Sequence, residues 1–342
     1  MRQILGWCAL VLAMVATGEE AETVNENSYA FRDEALARAN ALAENEGFDE
    51  AYLQSLLLAV EPDESVLEKI SRPAEKTKTW AEYRPIFLDQ ARIDNGVAFW
   101  DEYAEVLSRA EETFGVDPAI VVAIIGVETR YGKVTGNTPA FAALSTLCFD
   151  YPKRAAFFCE QWDEFLRLAR RENWNPLQIQ GSYAGAMGMG QFMPTSYTND
   201  ALDYDGDGKV DLWNSADDAI GSVANYLANR DWESGGKYVE RLEEAPTAEH
   251  FGQSHKPYFD RNSLFEKKQE DEQIVMEQKG AETPVMVGSL VLEGLEGEEW
   301  WLTYHNFFVI TRYNTSPLYA MAVIDLAAEL REQREDQTSD DE

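Results

Sequence analysis

Val116-Asp-Pro-Ala-Ile-Val-Val-Ala-Ile-Ile-Gly-Val-Glu-Thr-Arg-Tyr-Gly132 is the stretch on which the reading of this chain turns. Asp117 before Pro118 marks a helix start: a side-chain oxygen for the free amides, then a ring whose φ is already helical. Apolar residues fill nearly every position from Ala119 to Val127, so this helix is expected to be buried on all sides. Gly132 is its expected stop. Glu128 falls in the last turn, where a carboxylate faces the negative end of the helix dipole. Apolar walls would also strip its hydration, and both effects push its pKa up, as a general acid at neutral pH requires. Taken alone, such a Glu is more often a surface residue paired with a neighbour such as Arg130, because charged residues are rarely buried. The rest of the chain shifts that balance.

The chain has 342 residues and is 45% hydrophobic, enough for one large or two to three small domains with ample core. Met1 to Gly18 reads as an export signal: Arg2, an apolar run from Ile4 to Ala16, and small residues for cleavage at Ala16-Thr17-Gly18. The run is short for a permanent span. Cys8 lies inside it without the small-residue context of a lipoprotein signal, so a soluble periplasmic protein without a lipid anchor is expected. Losing this segment removes Arg2 and no acid, taking the formal charge from −33 to −34. So acidic a chain lacks the basic surface that nucleic acid requires. Cys148 and Cys159 remain, and they either bridge in an oxidising compartment or stay separate thiols; their spacing does not choose.

Glu19 to Asn27 is an acidic lead-in. Helical periodicity then starts at Phe31, Ala35, Leu36 and Ala39, and resumes at Leu53, Leu56 and Leu57 after Gly47. A further helix is expected from Val97 to about Phe114, and an amphipathic one through Phe157, Phe158, Trp162, Phe165 and Leu166. From about Val239 the short runs Val285–Val287, Leu290–Leu292 and Phe307–Ile310 read as strands of a small sheet. Trp300, Trp301 and Tyr304 pave a surface or fill a core. His250, His255 and His305 show neither metal nor triad spacing. Helix returns from Ser316 to about Arg334, before a charged tail.

Asp203-Tyr-Asp-Gly-Asp-Gly-Lys-Val-Asp211 is the most specific local pattern. Asp203, Asp205, Asp207 and Asp211 stand at positions one, three, five and nine of an EF-hand loop, Gly208 at six, and Lys209 at seven, where a backbone carbonyl ligates. Carboxylates this crowded repel one another unless a cation, here Ca2+, neutralises them; a solvated acidic turn is the plainer alternative. Position twelve is Asn214 instead of the usual Glu, so the last ligand falls to Asp217 or Asp218. Gly181-Ser-Tyr-Ala-Gly-Ala-Met-Gly-Met-Gly-Gln-Phe-Met-Pro194 lets backbone approach something closely. It lacks the spacing of a phosphate loop.

Four segments in order, Ile125–Gly132, Gly181–Pro194, Asp218–Tyr226 and Thr311–Asn314, resemble the membrane-bound lytic murein transglycosylase B family over nearly the whole chain after the signal. The resemblance implies a mainly α (α+β) fold. It comprises a lysozyme-like core at 116–238 with a calcium loop at 203–218, a helical domain at 28–115 to which 316–334 returns, a small antiparallel β domain at 239–315 and an acidic tail at 335–342. It also implies cleavage of the β-1,4 bond between N-acetylmuramic acid and N-acetylglucosamine in peptidoglycan, leaving a 1,6-anhydro ring. By position, Glu128 is then the single acid/base, Ser182 lies near the acetamido group, and Gln191 contacts the glycan. Tyr83, Tyr226, Tyr313, Asn314 and Tyr319 are groove residues, and Lys153 and Arg154 meet carboxylates. A structural calcium site is formed by Asp203, Asp205, Asp207, Lys209 and Asp211 with Asp218, although one extra residue before Asp218 departs from the family and leaves the choice between Asp217 and Asp218 open. No organic cofactor is expected; the partners are peptidoglycan glycan strands and other wall enzymes, and the chain is expected to be a monomer.

One raised-pKa Glu suffices if the sugar's own C6 hydroxyl is the nucleophile, which replaces the second carboxylate of a hydrolase. A muramidase using Asp150 or Asp200 is the rival enzyme, and a non-catalytic wall binder the rival of another class. A calcium sensor is disfavoured, because a single loop without a paired second one is usually structural.

Overall fold

The computed structural model describes residues 25–72, 77–246, 248–249, 251–265 and 285–340. The expected export signal, His250 and the last two residues of the tail lie outside them. The chain divides after Pro62 into two compact units.

In the first unit a single 3₁₀ turn, Tyr29–Phe31, precedes α1 (Asp33–Glu46) and α2 (Glu50–Leu58). Gly47, at φ 69°, ends α1, and Asp49 caps α2 by accepting from the Tyr52 amide. Ala35, Ala39 and Leu42 face inward from α1, and Leu53, Leu56 and Leu57 from α2.

The second unit begins with α3 (Glu64–Ser71) and α4 (Trp80–Tyr83), the latter opened by a capping box of Thr79 and Glu82. The single helix expected from Val97 to Phe114 is two, α5 (Gln90–Glu102) and α6 (Ala104–Phe114). Tyr103, at φ −109° and ψ 24°, leaves the helical region between them, and its ring packs on Phe99 with centroids 4.8 Å apart. Next comes α7 (Pro118–Thr129), capped by the Asp117 carboxylate on the Ala119 amide. Arg331 and the Tyr238 hydroxyl hold that same carboxylate. Ile120, Val121, Val122, Ile124 and Ile125 are all 0–1% exposed. Each such side chain contributes about 1.5–3 kcal/mol on burial, before chain entropy is charged against it. The long α13 (Pro317–Asp340) packs along α7 and α5, so α7 is the axis of this unit. It continues past the expected end at Arg334.

Between α7 and α13 the chain forms α8 (Ala140–Asp150) and α9 (Ala155–Arg171), joined by a Cys148–Cys159 disulfide with Cα atoms 4.5 Å apart. Next are α10 (Pro194–Asp200) and α11 (Ala216–Ala228). Two short strands, β1 (Thr138–Pro139) and β2 (Gln180–Gly181), pair antiparallel. The second sheet has the order β3-β6-β5-β4, all antiparallel: β3 Val239–Leu242, β4 Phe259–Asp260, β5 Met286–Gly294 and β6 Gly297–Thr303. Its core is Leu264, Val287 and Leu302, with Phe251, Phe259 and Tyr304 against them. Phe307–Ile310, read as a strand, belongs instead to α12 (His305–Tyr313). Asn306, 1% exposed, receives the Glu233 amide and donates to the Glu233 carbonyl, which fixes the start of that helix. Phe307, Ile310 and Thr311 then fall on one helical face.

Candidate active site

The stop of α7 is one residue after Glu128, and Gly132 does not make it. Arg130 at φ 51° and Tyr131 at φ 61° already adopt the left-handed conformation, and Gly132 at φ 80° is the third in the run. A side chain there costs roughly 1–2 kcal/mol per residue. Local hydrogen bonds offset that cost: Arg130 N to Gly126 O at 3.1 Å and Tyr131 N to Ile125 O at 3.3 Å. Thr129 Oγ1 accepts from the Gly132 amide at 3.0 Å and donates to Met189 O at 2.8 Å. The Tyr131 ring wedges against Gly96 of α5 and Gly126 of α7; a Cβ on Gly126 would lie 2.5 Å from its hydroxyl. The Arg130 guanidinium pairs with Asp89 at 3.1 Å.

Glu128 is half-buried, and the Tyr319 hydroxyl of α13 donates to its Oε1 at 2.6 Å. Tyr319 stacks near-parallel with Tyr313 of α12 at 6.5 Å, and Tyr313 meets Tyr226 of α11 at 4.7 Å. Phe192, which the sequence reading did not single out, packs on Tyr226 at 5.7 Å and on Tyr313 at 6.0 Å. The hydroxyls of Tyr226 and Tyr313 donate to the carbonyls of Arg312 and Gly190, which anchors both rings. Burial first, and the Glu128 charge second, push the Tyr313 and Tyr319 phenols well above their ordinary pKa. They are therefore neutral donors.

Tyr83 is 1% exposed and Met187 is fully buried, so both support the site from within and do not form its surface. Asn314 is half-buried and takes the Ser316 amide on its side-chain oxygen. Lys153 and Arg154 sit exposed on a 3₁₀ turn, with the Arg154 guanidinium 4.2 Å over the Phe157 ring.

The glycine-rich segment lies against the end of α7. Ser182 opens a tight turn: its carbonyl takes the Gly185 amide, its amide donates to Ala186 O at 2.8 Å, and its Oγ accepts from the Ala186 amide at 3.2 Å. The hydroxyl proton of Ser182 is left to point elsewhere. Gln191, at φ 51°, donates its side-chain amide to Thr135 O and Gly188 O, both at 3.0 Å, which leaves Oε1 as its acceptor. A Cβ on Gly136 would strike the Gly181 carbonyl, so the two loops could not otherwise lie this close.

In the acidic loop, carboxylate oxygens of Asp203, Asp205 and Asp218 come within 4.8 Å of one another. Asp218, 1% exposed, accepts from the amides of Tyr204 at 2.7 Å and Asp211 at 2.8 Å, and burial raises its pKa. Asp217 points the other way, 3.6 Å from Arg109. Asp207 and Asp211 close turns within the loop, on the amides of Lys209 and of Trp213 and Asn214. Three converging carboxylates form a hard oxygen donor set, which suits Ca2+ or Mg2+.

The transglycosylase SLT domain family matches residues 31–328. This chain belongs to that family. It is 38% identical over 294 residues to the membrane-bound lytic murein transglycosylase B of Escherichia coli K12, covering 82% of this chain and 78% of that one. Its fold superposes on the soluble lytic transglycosylase SltB1 of Pseudomonas aeruginosa with TM-score 0.78 at 41% identity, over 88% of this chain and 99% of that. Escherichia coli Slt35, solved in complex with calcium, gives TM-score 0.77 at 36% identity, over 88% and 94% of the two chains. The chain is thus a peptidoglycan lytic transglycosylase with a lysozyme-like, mainly helical fold. Among the described residues no helix is long and apolar enough to cross a membrane.

In this transglycosylase three site features escaped the sequence reading: Phe192 against Tyr226 and Tyr313, Thr129 as the link between α7 and the glycine-rich segment, and the bond from Tyr319 to the acid itself. Thr129 follows Glu128 directly, so a threonine capable of bonding backward and forward was the available signal. Nothing in the sequence separates Tyr319 from Tyr313.

Proposed function

We propose that Glu128 is the single general acid/base of this lytic transglycosylase and that the product carries a 1,6-anhydro-N-acetylmuramic acid end. The bond from Tyr319 to Glu128 is the observation that carries the proposal, since it holds one oxygen of the carboxylate in place from a buried, neutral donor. In the first step Glu128 gives its proton to the glycosidic oxygen as the bond from C1 breaks. In the second, the C6 hydroxyl of the same sugar attacks C1 and its proton returns to Glu128. One carboxylate serves both transfers because the nucleophile is tethered by the sugar ring. The Ser182 hydroxyl donates to the acetamido oxygen, and Gln191 Oε1 accepts from a sugar hydroxyl. Tyr313, half-buried, keeps water from C1, with Phe192 and Tyr226 packed behind it. Lys153 and Arg154 meet carboxylates at the rim.

Asp200, offered as a second carboxylate, favours this reading over a hydrolase. It is 2% exposed and engaged by Arg230 at 3.0 Å and by Asn229 at 3.0 Å. The calcium loop we read as structural: Asp203, Asp205 and Asp218 hold the ion, with Asp207, Asp211 and the Lys209 carbonyl beside them. The ion supplies charge neutralisation and no chemistry. Export to the compartment that holds peptidoglycan follows from the substrate. The test is Glu128→Gln, which keeps glycan binding and loses on the order of 10²–10⁴-fold in turnover. Turnover near wild type would move the acid elsewhere.

A further inference from the structure

A cleft of about 490 Å³ opens between Trp174, just past α9, and Trp213, within the acidic loop. The two half-buried indoles meet edge to face with centroids 5.5 Å apart. Tyr197, 1% exposed, braces both from beneath, at 5.3 Å from Trp174 and 6.3 Å from Trp213. Around them stand exposed amide side chains, Gln178, Gln180 and Asn214. Of the charges at the rim, Glu172 pairs with Arg171 at 2.8 Å, while Lys209 and Asp211, of opposite sign, both line the cleft.

We propose that this cleft is a further glycan subsite, taking an N-acetylglucosamine residue of the strand away from the bond that is cut. A pyranose presents a face of C–H bonds and a rim of hydroxyls and amide. Indole surface complements the first, and Gln and Asn side chains complement the second. The cleft has no surplus cation for a stem-peptide carboxylate, so the neutral sugar is the favoured occupant over a peptide-bearing one.

The backbone joins this cleft to the catalytic residues from two sides. Trp213 Nε1 donates to Gln180 O at 3.1 Å, and Gln180 lies two residues before Ser182. On the other side, Leu212 O accepts from Met189 N at 2.7 Å, and Met189 O accepts from Thr129 at 2.8 Å, next to Glu128. A sugar held by Trp213 is therefore registered against both Ser182 and Glu128. The acidic loop that carries Trp213 sets that register, which gives the calcium site a second consequence.

This inference rests on the proposed active site, and its test separates the two. Full-length Glu128→Gln protein with calcium is titrated calorimetrically with β-1,4 N-acetylglucosamine disaccharide and hexasaccharide. The hexasaccharide is expected to bind more tightly than the disaccharide. Trp174→Ala and Gln178→Ala, each added to that background, are expected to weaken hexasaccharide binding roughly tenfold, a change of ~1.4 kcal/mol. Gln178 is exposed, so its variant reports on the cleft even where Trp174→Ala disturbs packing. Unchanged hexasaccharide affinity in both folded variants would overturn the subsite, and so would equal affinity for the two oligomers. If anhydro products still form with the wild-type chain, only this inference fails; if they do not, both fail.

Discussion

Tyr319 Oη lies 2.6 Å from Glu128 Oε1, joining two residues 191 positions apart in the chain. A donor to a carboxylate favours the ionised form, whereas the helix end and partial burial favour the neutral acid. Tyr319 thus favours the ionised carboxylate and fixes its orientation.

Tyr319→Phe removes that donor and leaves the ring. The alkaline limb of kcat/KM should move to higher pH, because the acid then stays protonated longer. Turnover at the optimum should fall about tenfold or more through lost orientation, given the 1.5–3 kcal/mol typical of hydrogen bonds to charged groups. A pH profile superimposable on wild type would mean that the bond has no part in catalysis.

Gly126→Ala tests the wedge behind the acid. A Cβ there would lie 2.5 Å from the Tyr131 hydroxyl, so the ring must move, and Arg130 and Tyr131 with it. We expect a loss of about 1–3 kcal/mol in stability from overpacking. Turnover should fall although no catalytic side chain has changed. Thermal melting and kinetics on the same sample check both, and an unshifted melting curve would show that the helix end absorbs the methyl.

How far the sequence carried this account depended on the range of the interactions involved. The buried helix of Ile120 to Ile125 was legible because no polar position interrupts it, and the acidic loop because its ligand spacing is local. Where neighbours distant in the chain decide, the reading erred or stayed open. Phe307–Ile310 has strand composition, yet Asn306 anchored on Glu233 starts a helix there. The left-handed run at Arg130 depends on the glycines of two helices, Gly96 and Gly126, that admit the Tyr131 ring. Asp217 and Asp218 are adjacent and chemically identical; only Arg109, over a hundred residues earlier, draws the first away.

Calcium should raise the melting temperature, by the equivalent of about 2.7 kcal/mol at a hundred times Kd. The pH dependence has a definite sign. Burial raises the pKa of Asp218, so its contribution to stability is present below the ordinary carboxylate range and is lost as pH rises through the raised value. The metal-free protein should therefore be penalised at neutral pH, and calcium should help most there and least in acid. Asp218→Asn should abolish most of the calcium effect. Identical melting curves with calcium and with chelator at neutral pH would reduce the loop to an acidic turn.

The most direct test of the account is the mass of the product. Purified sacculi digested with the wild-type protein should release muropeptides ending in 1,6-anhydro-N-acetylmuramic acid, each lighter by one water than the corresponding muramidase product. Glu128→Gln should release almost none. Reducing-end muropeptides from the wild-type chain would contradict the account, because they require water at C1 and a second group to activate it.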